Sequence, residues 1–289
     1  MIVKLTVAGR TEVGLVRRSN EDAFLIANLR DGLPVAPSHL ARFEIGPRGA
    51  LLAVSDGMGG NQAGEVASAI VIESLRRSLS EASERDASDV LLERAVLRAN
   101  RDVWEAGHAP GRENMGATLT AVYVRDKTAY LAEVGDSRAY LVRGGHIKQM
   151  THDQSYVQLM IDSGVMSTEE AKRSELNSVI LQAMGLKESV QIALGRIELR
   201  ESDCFVLCSD GLSSSMSADE MRRIVLTSGS PDAVCGKLVQ LAMQRGGGDN
   251  ITVIVAGIRG ELRAAVAGER ISDTLLTIRE FQPRPPTRV

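Results

Sequence analysis

Aromatic side chains are scarce: four Phe, four Tyr and one Trp make up 3% of 289 residues. The core must therefore be aliphatic, which suits β-rich layers covered by amphipathic helices. Cysteine is sparse too. Cys204 and Cys208 share one face of a strand-like run and Cys235 falls in a helical stretch. They read as small buried hydrophobes, not as a disulfide framework or a zinc site. The four histidines, His39, His108, His146 and His152, lack any HExxH-type spacing and read as surface or packing residues. No apolar run approaches the ~20 residues of a membrane-spanning helix. Met1 to Arg10 lacks the length and cleavage pattern of a secretory signal, so the expected location is cytoplasmic. Neither sign of charge dominates, with 34 Lys+Arg against 37 Asp+Glu and a net charge of −3. Without a basic stripe or interleaved aromatics, nucleic acid is not an expected partner. A GxSxG elbow and a GxxxxGK[ST] loop are both missing, so serine-hydrolase and P-loop chemistries lack their nucleophile or cradle.

What is present is a set of short apolar runs joined by Gly and Asp turns, as in antiparallel sheets. Strands are expected over Ala23 to Ala27, Ala50 to Ser55, Thr118 to Val124, Ala129 to Val134, Arg138 to Arg143, Cys204 to Ser209 and Ile251 to Ile258. Helical periodicity marks Ala63 to Leu79, Ala87 to Ala106 and Ala233 to Gln244. Between Ser155 and Asn177 the patterning weakens around a capping-box signal at Ser167 to Glu170, which suggests short helices in a flap. No internal repeat appears, and one domain over 1–260 is the simplest organisation. The tail, 261–289, ends in QPRPPTRV and reads as disordered at its end.

Acids recur where these strands begin or end. Asn20-Glu21-Asp22 precedes AFLIA, and Asp136 sits in VGDSRAYL between two strands. Asp56 and Asp210 close LLAVSDGM and FVLCSDGL with the same Ser-Asp-Gly text, and Asp249-Asn250 opens ITVIVAGI. Singly, each is explained by turn chemistry. Strand ends on one sheet edge converge, however, and converging carboxylates repel unless cations neutralise them. Oxygen ligands without a His or Cys set favour Mg²⁺ or Mn²⁺ over Zn²⁺. Two cations about 4 Å apart lower the pKa of a bridging water and clamp both oxygens of an in-line displacement, which is phosphoester chemistry. Arg17, just before the first acidic strand, offers a bidentate fork for a phosphate.

These segments in this order resemble the protein phosphatase 2C family of metal-dependent Ser/Thr phosphatases, in its compact bacterial form. The match runs to about residue 258 through GLVRRSNEDAF, LLAVSDGMGGNQAGEVAS, NMGATLTAVYV, AEVGDSRAYLVR, MTHDQS, NSVILQAMG, FVLCSDGL and GGGDNITVIVA. The resemblance implies an α+β, four-layer αββα sandwich, two antiparallel sheets flanked by helices, with a helical flap over about 155–177 near the active site. It implies a site of two Mn²⁺ or Mg²⁺ ions and a hydroxide that attacks phosphoserine or phosphothreonine. Asp56 would bridge the ions, the Gly57 carbonyl would bind one, and Asp210 and Asp249 would complete the other. Asp22 would act through bound water, Asp136 with Asp210 would help hold a third, weaker cation, and Arg17 would grip the phosphate. Expected partners are phosphoproteins and a cognate Ser/Thr kinase, with the chain a monomer. The sequence departs from the family pattern at Asn61 and Gln154, where His is common, at Ala117 in Gly-Ala-Thr, and at Met58, a His in animal relatives. None of these replaces an expected ligand.

Two other classes compete. LLAVSDGMGG followed by a helix superficially matches a nucleotide-binding unit, but Gln62 stands where the third glycine belongs and Asp56 would repel pyrophosphate. A non-catalytic, regulatory member of the same fold would be favoured by loss of metal-site acids, and all are retained.

Overall fold

A computed structural model of the chain describes residues 2–30, 40–59, 63–171 and 173–283. Elements are numbered in chain order. One sheet holds β1 (Val3–Glu12), β3 (Ala41–Glu44), β8 (Arg138–Arg143), β9 (His146–Gln149), β11 (Cys204–Cys208) and β12 (Ile251–Gly260), in the order β3-β1-β12-β11-β8-β9. The other holds β2 (Asp22–Asn28), β4 (Ala50–Met58), β6 (Leu119–Arg125), β7 (Thr128–Val134), β10 (Ala193–Glu198) and β13 (Leu275–Arg279), in the order β13-β10-β7-β6-β4-β2. The short β5 (Gly116–Ala117) pairs with the end of β4. The named strand pairings are all antiparallel.

Helices α1 (Ala63–Glu81) and α2 (Ser88–Ala106) cover the second sheet, and α6 (Ala218–Thr227) and α7 (Pro231–Gln244) cover the first. The result is the four-layer α+β sandwich. Alternation along β4 explains it: Leu51 and Ala53 face α1 and α2, while Leu52 and Val54 face the opposite sheet with Leu5, Val7, Phe205 and Ile254. With both faces covered, the strand reads as an unbroken apolar run. On the far side Val234 and Leu238 of α7 meet Val206, Val253 and Val255. Ser230 caps α7, which has Pro231 in its first turn, and Ser217 with Glu220 closes a capping box on α6.

The expected strands and three helices are present. β1, β3, β5, β9, β10, β13, the one-turn α5 (Asp210–Ser213) and α6 were not expected from patterning. Patterning places the end of the domain near Gly260. Beyond it the chain returns to the second sheet, where β13 pairs with β10 in the register Arg196 to Leu276, and Ile271 is buried between the sheets. Apolar Ile271 and Leu275 gain burial there, and β10 loses an open edge. Of the QPRPPTRV end, 282–289, expected to be disordered, residues 284–289 lie outside the described residues.

The flap contains α3 (Tyr156–Asp162) and α4 (Thr168–Ala171), and the Ser167–Glu170 capping interactions are both made. Its base is fixed. Gln154 donates its N–H to the Gly135 carbonyl at 2.9 Å, and Gly135 N–H donates to Gln154 Oε1 at 2.8 Å. The flap thus springs from the turn that carries Asp136.

Candidate metal centre

All five sequence-predicted acids lie where the two sheets end together. Asp22 opens β2 and Asp56 lies near the end of β4, and the antiparallel register sets them directly opposite each other. Asp136 occupies the crossing from β7 in one sheet to β8 in the other. Asp210 follows β11 and Asp249 precedes β12, which are neighbours in the first sheet. Arg17 lies in the 13–21 connection between β1 and β2, and its Nη2 donates to Asp249 Oδ2 at 2.8 Å.

Gly57 sits where β4 meets the start of α1. A Cβ there would stand 2.1 Å from the Gly64 carbonyl oxygen, so only glycine permits this approach. Its N–H donates to the Glu21 carbonyl at 3.0 Å, locking β4 to the Asp22 strand.

Several supporting residues were missed from sequence. Ser209 Oγ donates to Asp22 Oδ2 at 2.7 Å. Asp56 N–H donates to Thr118 Oγ1 at 2.9 Å, and that hydroxyl meets Ser137 Oγ at 2.7 Å, joining the Asp56 and Asp136 segments. Asn250 accepts the Glu21 N–H at 2.8 Å and donates from Nδ2 to the carbonyls of Val13 and Ser19, both at 2.9 Å. The Ser repeated in both Ser-Asp-Gly segments was the available signal for Ser209. The departures from the family pattern are absorbed locally. Ala117 exchanges backbone hydrogen bonds with Met184, and buried Gln154 accepts from Gly135 and from Gln182 Nε2. Asn61 lies outside the described residues.

Burial pushes Asp22 up to about 7 against the hydroxyls of Thr252 and Ser209, and pushes Asp136 to about 7 with the neighbouring charge of Asp210. Burial also holds Asp56 well above the usual range, reinforced by Asp22, Asp210, Asp136 and Asp249. Asp210 is raised by burial and by Asp249, with Arg17 acting against the shift. Asp22 Oδ1 and Asp210 Oδ1 are buried with no hydrogen-bond partner. Unpartnered carboxylate oxygens inside a cluster of like charge carry a large desolvation cost, and a hard divalent cation meets that need. The donor set is all oxygen, which fits Mn²⁺ or Mg²⁺. Among the described residues, no three ligating side chains already close on one point. Asp249 is engaged by Arg17 there, and carboxylates of like charge repel one another in the absence of a cation.

Asp22 and Asp136 keep their protons in the folded chain up to about 7, whereas an unfolded aspartate loses its proton near about 4. The folded state binds more protons across that window, so stability falls as pH rises through it. In chelator, the melting temperature is expected to drop by several degrees between about pH 5 and pH 8, with Mn²⁺ recovering it chiefly at the higher value. A flat profile in differential scanning calorimetry would remove the electrostatic account of the cluster.

A sandwich with an acid cluster at the shared edge of its sheets defines a class of architecture. Within that class, a family profile described as Protein phosphatase 2C matches residues 27–231, spanning Asp56, Gly57, Asp136 and Asp210. The serine/threonine protein phosphatase PstP of Mycobacterium tuberculosis is 36% identical over 257 residues, 88% of this chain. The matched region makes up 45% of that protein, so the chain spans about half of its length. The protein phosphatase PhpP of Streptococcus pneumoniae is 33% identical over 214 residues, covering 73% of this chain and 87% of its own. A crystal structure of the catalytic domain of PstP in complex with two manganese ions superposes with a TM-score of 0.75 at 33% identity, covering 89% of this chain and 100% of the other. The chain belongs to the protein phosphatase 2C family. Among the described residues no helix is long and apolar enough to cross a membrane.

Proposed function

We propose that this chain hydrolyses phosphoserine and phosphothreonine in proteins, using two Mn²⁺ or Mg²⁺ ions held by the acid cluster. The observation that carries the reading is the pair of buried, unpartnered oxygens, Asp22 Oδ1 and Asp210 Oδ1, in a carboxylate cluster beside Arg17. The manganese-bearing PstP domain supports the same metal. In this reading Asp56, Asp210, Asp249 and the Gly57 carbonyl hold the two ions, Asp22 acts through water, and Asp136 with Asp210 serves a third. Cations bound there neutralise the carboxylates, activate water and stabilise charge developing on the phosphoryl oxygens.

The chain's own groups position the substrate. Arg17 is more than half exposed, and its pairing with Asp249 holds the guanidinium over the cluster, where its fork orients a phosphoryl group. Asp249 therefore links phosphate grip to metal holding. Met58, half-buried at the end of β4, has no proton to give a leaving alkoxide. The same reading makes the chain a cytoplasmic monomer that opposes a Ser/Thr kinase.

The test is phosphate release from a phosphothreonine peptide with Mn²⁺ titrated against a chelated control. Saturable Mn²⁺ dependence with no release in chelator is expected. Folded protein that releases nothing with any divalent cation would replace this reading with a non-catalytic binding role.

A further inference from the structure

The 13–19 segment that carries Arg17 is tightly held yet turns its apolar side chains outward. Asn250 Nδ2 bonds the carbonyls at both ends, Val13 and Ser19, at 2.9 Å each. Leu15 N–H donates to the Gly247 carbonyl at 2.7 Å. Gly14 has φ +84°, and a Cβ on it would stand 2.3 Å from the Asp249 carbonyl oxygen, so the loop lies directly against the segment that bears Asp249. Leu15 is 66% exposed and Val16 69%, with Val13 also exposed. Among the described residues, no other stretch of four positions carries three exposed large apolar side chains. Single exposed apolar residues are ordinary, whereas a cluster on a pre-ordered loop at a site marks a contact surface.

We propose that Val13, Leu15 and Val16 form a docking face for an apolar side chain one or two positions from the phosphorylated residue, giving the chain a preference for phosphoprotein segments with apolar flanks. The proposal rests on the phosphatase reading. Spacing supports it. The Leu15 and Arg17 Cα atoms are at most ~7 Å apart along the chain, and residues of an extended substrate step by ~3.4 Å, so a flanking side chain reaches the tip while Arg17 holds the phosphate. Charge supports it as well, since exposed Arg17 and Arg18 match a phosphate next to the apolar contact. A second copy of the chain is a poor occupant, because three side chains offer far less than the ~800 Å² per partner of a stable interface. Pre-ordering of the loop spares the entropy of fixing it on binding.

The experiment uses the full chain loaded with Mn²⁺ and two phosphothreonine peptides that differ only in Leu or Ser at the positions flanking the phosphothreonine, with p-nitrophenyl phosphate as a substrate that has no flank. The Leu-flanked peptide is expected to show kcat/KM higher by about tenfold, mostly through KM. The double variant Leu15→Ser/Val16→Ser should erase that difference while leaving p-nitrophenyl phosphate turnover and the melting temperature unchanged. Equal kcat/KM for the two peptides with the parent protein, or a uniform loss on all three substrates in the variant, overturns the proposal. Affinity for nonhydrolysable phosphonate versions of both peptides, read by fluorescence anisotropy, separates the two claims. Equal affinities remove the docking face whatever the turnover. A Leu preference in binding without turnover of any substrate removes the phosphatase reading and leaves the docking face standing.

Discussion

Asp210→Asn is expected to lower metal-dependent phosphate release by more than about a hundredfold, since losing partners one layer outside a metal already costs about 10–100-fold and the proposed function makes Asp210 a direct ligand. The same variant carries a signature that misfolding cannot imitate. Asp210 is a buried carboxyl raised by burial and by the charge of Asp249, and it adds its own charge to Asp22, Asp56 and Asp136. Neutralising it relieves repulsion whenever no cation is present. In chelator above about pH 7 the variant should therefore melt higher than the parent. With saturating Mn²⁺ the order should reverse, because the parent gains binding free energy that the variant forgoes. Phosphate release and paired melting curves with and without Mn²⁺ check both halves. Turnover within a few-fold of the parent would remove Asp210 from the ligand set. A variant less stable than the parent in chelator would show that the carboxylate works mainly as a structural group.

The site was legible because its residues announce themselves locally and their assembly follows from sheet geometry. An apolar run ending in Ser-Asp-Gly places an acid at a strand end, and antiparallel pairing sets Asp22 opposite Asp56 once β2 and β4 are neighbours. Apart from Ser209, the supporting contacts lacked such a signal. Asn250 reads as a turn residue, and its role depends on the Val13 carbonyl, 237 positions away. β1 alternates Leu5 and Val7 inward against the opposite sheet with Ala8 toward α7, but Gly9 and Arg10 dilute the pattern. β13 is an exposed edge strand whose pairing is set by tertiary contacts more than by its own composition. Patterning thus recovered the elements that bear the acids and passed over those that are held from outside.

Asp203→Ala is expected to cost about 3–5 kcal/mol of folding stability, because it strands a buried guanidinium. Arg143 and Asp203 have side chains 1% and 0% exposed and pair in bidentate fashion at 2.7 and 2.6 Å. Arg143 Nη2 also donates to the Glu198 carbonyl at 2.9 Å and Nη1 to Thr274 Oγ1 at 2.7 Å, while Asp203 Oδ2 accepts the Arg200 N–H at 2.8 Å. The pair therefore joins β8, the end of β10, the start of β11 and the segment leading into β13. Replacing both charges, as Arg143→Met with Asp203→Leu, removes the stranded charge but leaves the Arg200 N–H and Glu198 carbonyl unmet at about 1–3 kcal/mol each. The double variant should fall between the parent and Asp203→Ala, a non-additivity that a double-mutant cycle in urea reads directly. Hydrogen exchange across 275–279 should rise in Asp203→Ala before the rest of the second sheet opens, since β13 is held partly through Thr274. A loss below about 1 kcal/mol, the range of a solvated surface bridge, would mean that water reaches the pair and that the C-terminal strand is held by its backbone pairing with β10 instead.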